Sequence, residues 1–215
     1  MNRLVSPASS VSFAVFVIAT IATLCAPARA AMLHLRVDPK SSKITVTVAK
    51  PIERLQGDVT ATFTIARGEV DGDPLNPATA HVHLVIDATS FDSGFDHRDR
   101  KVLHSSLQTY DYQTITFDST RIEDVEVESP GGVGKATVVG NLTLHGTTRE
   151  VRVPMNVSFS PEHQLYADGA VTLTYTDFGV TVPRIFGTLA ASDKAALSFH
   201  IVAMPPAPPS TPGAS

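Results

Sequence analysis

Apolar and polar residues alternate along most of the chain with a period of two rather than 3.6. The alternation is clear over 44–48 and 59–65, where threonines stand between apolar residues. It returns over 82–86, 138–144, 151–159, 165–175 and 197–201, and with 33–37 and 114–118 the chain has nine candidate strands. Such segments are typical of half-buried strands with one apolar and one polar face.

The segments between the candidate strands favour an antiparallel sheet. Glycine, proline and other turn residues cluster at 71–74, 130–134 and 145–147. A helix is predicted only over 96–105, with Asp96 as its N-cap. Because no strand–helix–strand alternation is present, a parallel sheet is disfavoured and an antiparallel barrel or sandwich is favoured. Long strands with a continuous apolar face favour the closed barrel, since closure removes exposed edges.

The two ends of the chain break this pattern. Residues 11–24 form an apolar run, and Ala28-Arg29-Ala30 follows it. This layout predicts a secretory signal peptide cleaved after Ala30, and the run is shorter than the roughly 20 apolar residues of a spanning helix. Acylation of Cys25 is an alternative, although Leu24 before it argues against a lipoprotein. We therefore predict a signal peptide over 1–30, one barrel domain over 31–204 and a disordered proline-rich tail over 205–215.

Composition excludes several classes of protein. The chain of 215 residues carries 17 basic and 21 acidic side chains, a net charge of −4, which disfavours a nucleic-acid partner. Its single cysteine lies in the predicted signal peptide, which excludes a disulfide scaffold and a Cys-ligated zinc site. A hydrophobic content of 43% fits a folded globular domain.

Candidate catalytic chemistry is sparse. His81 and His83 would share one strand face, but zinc needs a third ligand that the sequence does not place beside them. Their alternation with apolar residues favours a solvent-exposed face. The chain has no Gly-x-Ser-x-Gly elbow and no phosphate-binding glycine motif, and the glycines at 131–134 fit a hairpin turn. We predict no catalytic residue and no metal site, and hence no enzyme.

The order of several motifs resembles that of the YceI family. The motifs are Thr-Ser-Phe-Asp-Ser-Gly at 89–94 with the helix at 96–103, the segment 112–119, Gly-Asn-Leu-Thr-Leu-His-Gly-Thr-Thr-Arg-Glu at 140–150, and Asp-Phe-Gly-Val at 177–180. Together with looser matches they cover residues 37–203. Ser41, Ser42, Ala49 and Lys50 stand where the family usually has histidines, which argues against a ligand contact from the first hairpin.

The resemblance implies an extended eight-stranded antiparallel, lipocalin-like barrel with a short helix near one mouth. It also implies a periplasmic protein that holds a polyisoprenoid, such as a quinone, or another long-chain amphiphile, for transport, storage or stress response. No cofactor beyond such a lipid is expected, and no membrane span after signal cleavage; a homodimer is left open.

The expected cavity lining is the inward set of the alternating strands and the aromatic residues near the helix. These are Phe63, Phe91, Phe95, Leu103, Phe117, Leu142, Leu144, Val153, Phe178, Phe186 and Phe199. Alternation alone does not distinguish a hollow barrel from a packed core, and a one-residue slip exchanges the two faces of a strand. Two alternative functions stay open: a stress-related interaction module without a lipid, and a metal-dependent periplasmic enzyme that uses His81 and His83.

Overall fold

The computed structural model describes residues 32–49, 58–73, 76–128, 133–182, 184–185, 189–190 and 192–206. The predicted signal peptide and most of the proline-rich tail, 207–215, lie outside the described residues. The strands are β1 (Leu33–Val37), β2 (Lys43–Val48), β3 (Val59–Asp73), β4 (Asn76–Asp92), β5 (Thr114–Val127), β6 (Gly134–Leu144), β7 (Thr147–Phe159), β8 (Leu165–Thr174), β9 (Arg184–Ile185), β10 (Leu189–Ala190) and β11 (Lys194–Met204).

The main sheet closes into an antiparallel barrel. The strands follow one another from β2 to β8, and β11 pairs with both β8 and β2. β1 and β2 together fill one strand position, because both run antiparallel to β3 and β11: β1 pairs with the end of β3 and β2 with its start. Eight positions result, which confirms the predicted eight-stranded antiparallel barrel. β9 and β10 form a separate two-stranded sheet.

One short helix precedes β5. Helix α1 (Asp96–Lys101) continues into a π-helical turn at Val102–Ser106. The predicted N-cap at Asp96 is wrong, since Phe95 occupies the cap position and no side chain caps the helix there. Instead the buried carboxylate of Asp99 accepts hydrogen bonds from the Ser93 N–H, at 3.1 Å, and from the Ser93 hydroxyl. No helix in the described part of the chain is both long and apolar enough to cross a bilayer.

The barrel has one closed end. α1 and the turn of His145 and Gly146 lie at this end, as does a 3₁₀ turn at Tyr175–Phe178 after β8. His145 and Gly146 have φ values of 51° and 71°, as a tight two-residue hairpin requires. Leu107 and Phe178 are buried here and belong to the hydrophobic core. Their packing fills this end of the barrel, whereas the other end holds the β3–β4, β5–β6 and β7–β8 connections.

An ion-pair network covers part of the outer surface. Arg121 donates to Glu123 at 2.6 Å and to Glu150 at 2.9 Å, and Arg152 lies 2.6 Å from Glu123. Val139 stands between the two arginines in the β-ladder and is fully buried, although it points outward. The aliphatic stems of the arginines therefore shield an apolar residue on the wet face of the barrel.

This network makes a pH-dependent contribution to stability. Hydrogen bonds from Arg121 hold the pKa values of Glu123 and Glu150 below their ordinary value. A lowered carboxylate pKa stabilises the fold above the unfolded-state value, and that stabilisation is lost as the pH falls through the folded-state value. We expect Arg121→Gln to lower the melting temperature slightly at neutral pH, and the difference from wild type to vanish at an acidic pH below the lowered pKa values of both glutamates.

The measurement is thermal unfolding at both pH values, with Arg149→Gln as the matched control. Arg149 is exposed on the same strand as Glu150 and donates to the Thr148 carbonyl at 3.2 Å. A difference between Arg121→Gln and wild type that is the same at both pH values would contradict this account.

Candidate functional site

The barrel encloses a cavity of about 870 Å³ with an almost entirely apolar wall. This volume lies within the range of about 300–1,000 Å³ that is typical of small-molecule sites. Every one of the eight strand positions contributes to the wall, with Ile44, Val70, Leu84, Ile122, Leu142, Val153, Val171 and Leu197 as one example from each.

The inward side chains show that the interior is not filled by protein. Val171, Leu173, Leu197 and Phe199 line the cavity, yet each is only partly buried. In a packed core, such large apolar side chains would be buried on all sides, because protein interiors pack about as densely as organic crystals. Their remaining exposed surface faces the cavity, and the barrel is therefore hollow.

Two glycines keep aromatic rings against the cavity wall. A Cβ atom at Gly140 would lie 2.7 Å from Cζ of Phe117, and one at Gly169 would lie 2.5 Å from Cε2 of Phe199. Gly169 stands directly opposite Phe199 in the β-ladder. Since these rings occupy the space where a side chain would be, they approach the backbone closely and leave the centre of the barrel open.

Polar groups concentrate at the mouth, where the β3–β4, β5–β6 and β7–β8 connections lie. Asp73, Glu126, Lys135 and His163 are on the wall at this end. Val127, also on the wall, is 57% exposed. The site is thus an apolar tube with charged groups at its entrance, which suits an elongated molecule that is apolar over most of its length.

Four of the predicted site residues lie on the cavity wall. They are Phe117, Leu142, Val153 and Phe199. Leu142 points inward. Contact between these side chains and a ligand stays a prediction.

The other predicted residues lie elsewhere. Phe178 is buried in the core at the closed end, and Leu144 packs against that core without reaching the wall. Phe63 and Phe91 pack edge-to-face with ring centroids 5.4 Å apart and are also outside the lining. The side chains of both therefore support the core rather than the cavity wall.

The residues around the helix also lie off the wall. Leu103 is partly buried in the π-helical turn and does not line the cavity. Phe95 is 67% exposed, and the Arg98 guanidinium lies 4.7 Å from its ring centroid, so the ring faces solvent. Phe186 lies outside the described residues.

Most of the wall consists of aliphatic residues that the sequence analysis did not select. On β7 the wall includes every second residue from Val151 to Phe159, and on β11 it includes Leu197 and Ile201 beside Phe199. The signal for these positions was present, because each lies an even number of residues from a selected one on the same strand and so shares its face. They were left out because only one residue was selected on each of these two strands.

Three histidines lie on the outer face in cross-strand pairs with aspartates. His34 pairs with Asp71 through Nδ1, and His83 pairs with Asp118 in the same way. His200 is similarly paired with Asp168. Within the described residues, no three or more His, Cys, Asp or Glu side chains are placed to hold a metal ion. His81 and His83 belong to no such group among these residues.

Comparison with known proteins places this barrel in a family. The family model of the YceI-like domain matches residues 35–203. A UPF0312 protein from Vibrio campbellii is 34% identical over 92 residues, which are 42% of this chain and 46% of the relative. A UPF0312 protein from Vibrio cholerae is 30% identical over 142 residues, 62% of this chain and 68% of the relative. The chain thus spans a little under half the length of the first of these relatives.

Solved structures share the fold at low sequence identity. BcnA from Burkholderia cenocepacia has a TM-score of 0.64 at 23% identity, covering 77% of this chain and 98% of that one. A polyisoprenoid binding domain from Saccharophagus degradans, implicated in plant cell wall breakdown, has a TM-score of 0.60 at 17% identity, covering 81% and 99%. These likenesses agree with the closed barrel described above. Since the family model matches most of its length, the chain belongs to the YceI family.

Proposed function

We propose that the protein is a non-enzymatic lipid binder that holds the chain of a polyisoprenoid or another long-chain amphiphile inside the barrel. The observation that carries this proposal is the hollow apolar cavity of about 870 Å³. The fold that it shares with a polyisoprenoid binding domain supports it. A quinone with an isoprenoid tail is one such amphiphile, since its chain would occupy the tube and its polar head the charged mouth.

Apolar contact alone provides enough affinity. A buried methylene contributes roughly 0.8 kcal/mol of transfer free energy. The net yield for ligands of drug size is about 0.3 kcal/mol per heavy atom, so a chain of about thirty carbon atoms would reach about 9 kcal/mol. This corresponds to a dissociation constant below about 1 μM. No charged or catalytic group inside the tube is required.

The signal-like segment 1–30 supports a periplasmic place of action. An exported protein of this kind would transport or store a membrane-derived lipid, or respond to stress through it. A carrier is the natural interpretation, because an apolar molecule needs a shielded volume to cross an aqueous compartment.

Extraction with organic solvent, followed by mass spectrometry, tests the proposed function. We expect the protein purified from its native compartment to release one long-chain lipid in near-stoichiometric amount, and its intact mass to show removal of residues 1–30. Protein in which Leu197 is replaced by tryptophan serves as the matched sample with a narrowed cavity, and should release at least tenfold less lipid. A wild-type extract without lipid, from protein that also fails to bind added lipid, would contradict the proposal.

A further inference from the structure

The hydrogen-bonded ladder of the barrel is interrupted at two places among the described residues. β7 and β8 pair only between 155–159 and 165–169, which leaves 147–154 without partners on β8 on the side of the closed end. The other interruption lies between β4 and β5 and reaches the mouth. β4 and β5 pair only between residues 83–87 and 114–118, although β4 begins at Asn76 and β5 continues to Val127. Among the described residues, none of 76–82 pairs with any of 119–127. At about 3.3 Å per residue, the seven residues on the β4 side give a gap in the ladder about 23 Å long. We call this gap the β4–β5 seam.

Irregularities in β5 explain the seam. Thr120 is an extra residue between the paired positions Ser119 and Arg121. A second irregularity follows between Glu123 and Glu126, where Asp124 has a φ of 52°. β-Bulges bend a strand and increase its twist. β5 therefore keeps its pairing with β6 and loses its pairing with β4.

The seam begins at a buried serine. The Ser119 hydroxyl accepts a hydrogen bond from the backbone N–H of Val82 at 2.8 Å and lies 3.3 Å from Nδ1 of His81. A side-chain oxygen thus takes the place of the backbone carbonyl that would continue the ladder. Ser119 marks the point at which the β4–β5 ladder ends.

The cavity reaches the seam from inside. Ala80 and Val82 on β4 and Ile122 and Val125 on β5 all line the cavity. All four are partly buried. The edges of the seam therefore present apolar side chains to the interior, and this part of the wall is held by side chains rather than by a hydrogen-bonded ladder.

Neither edge is suited to pairing with another strand. Pro77 has no N–H to donate, and Glu123, Asp124 and Glu126 place carboxylates along the bulged edge of β5. Proline, charge and bulges are the features that prevent strands from adding to exposed edges. An apolar chain, in contrast, needs no hydrogen bonds from the edges that it passes.

We propose that the β4–β5 seam is a lateral gate through which the ligand's apolar chain enters and leaves the cavity; this inference rests on the proposed lipid-binding function. Leu107 and Phe178 fill the far end of the barrel. A long chain that entered only at the mouth would have to thread along the whole tube toward a closed end. Passage through the seam lets the chain move sideways into the tube along the length of the gap.

Cross-linking the seam tests the gate. In a Cys25→Ser background, Thr79→Cys and Thr120→Cys place thiols on exposed positions of the two edges, to be joined by a short bismaleimide. The control joins Thr47→Cys and Thr60→Cys, whose parent hydroxyl oxygens lie 3.4 Å apart across the intact β2–β3 ladder. Retinol is the probe, and stopped-flow fluorescence gives its association and dissociation rates.

We expect cross-linking of the seam to slow both rates at least tenfold while the dissociation constant stays within about twofold, and the control cross-link to change neither. Ser119→Ala should lengthen the seam and raise the association and dissociation rates of retinol. Unchanged rates after cross-linking of the seam would overturn the gate while leaving the lipid-binding function intact. If the protein without the cross-link is a dimer and the cross-link abolishes that dimer, the seam is an interface with a second copy of the chain. This result would likewise overturn the gate. Failure of the uncross-linked protein to bind retinol would overturn the proposed function itself.

Discussion

Replacing Leu197 by tryptophan is expected to weaken retinol binding at least tenfold while the barrel stays folded. Leu197 is partly buried on β11 and points into the cavity. The larger indole would occupy volume that the ligand needs, and excluding only two methylene groups of ligand costs about 1.6 kcal/mol. A tenfold change in the dissociation constant corresponds to about 1.4 kcal/mol. The indole can extend into empty space, so little strain on the fold is expected.

Ser198→Trp is the matched control for this prediction. Ser198 is the next residue on β11 and lies exposed on the outer face. The same bulk at this position should leave retinol affinity within about twofold of wild type, because neighbouring residues on a strand point to opposite faces. The measurements are fluorescence titration with retinol and thermal unfolding by circular dichroism. Equal affinity losses in the two variants would mean that occupied cavity volume does not determine binding.

The local sequence predicts the strands of this protein well because each strand has one wet and one apolar face. The alternation over 151–159 corresponds to β7, and the alternation over 165–175 to β8, which ends at Thr174. The hairpin turn between β6 and β7 follows from the same local chemistry, since a glycine accepts the positive φ that the turn needs. Alternation does not predict closure into eight strand positions. That prediction came from the order of the motifs and the family resemblance that it carries.

The face of each strand is less predictable, because bulges change the phase of the alternation. Between Ile65 and Arg67 the β3–β4 register shifts by one residue, so residues before and after the shift follow different parities. Phe63 follows the alternation of its strand and Phe91 was selected as an aromatic residue near the helix, but the two rings pack on each other instead of lining the cavity. The position that an aromatic side chain takes therefore depends on packing partners that are distant in the sequence.

The open interior and the seam are also beyond local sequence signals. Gly140 and Gly169 allow aromatic rings to lie against the wall only because Phe117 and Phe199 are brought beside them by strand pairing. The end of the β4–β5 ladder coincides with Thr120, an extra residue that is visible only once the partner strand is known. A sequence that predicts apolar faces therefore leaves open whether the enclosed space is filled.

A pair of alanine substitutions should show, through the free energy of unfolding, that side chains do not fill the interior of the barrel. Ile65 on β3 is only 2% exposed and packs in the core without lining the cavity, whereas Leu173 on β8 is partly buried and lines it. Isoleucine and leucine have the same atoms, so both substitutions delete the same groups. We expect Ile65→Ala to lower the free energy of unfolding of the ligand-free protein by about 3 kcal/mol, and Leu173→Ala to lower it by less than half as much.

The two losses of unfolding free energy differ because only one of the substitutions creates a new void. Ile65→Ala opens a new void in packed surroundings, at a cost of roughly 24 cal/mol per Å³ in addition to the lost transfer free energy. Leu173→Ala only enlarges a space that already exists, and the deleted atoms were never fully removed from solvent. Urea unfolding, with equal m-values as the check that both variants unfold in the same way, measures the two losses. Equal losses would mean that Leu173 is packed as tightly as Ile65 and that side chains fill the barrel, whereas a small loss at Leu173 leaves the space beside it for a ligand.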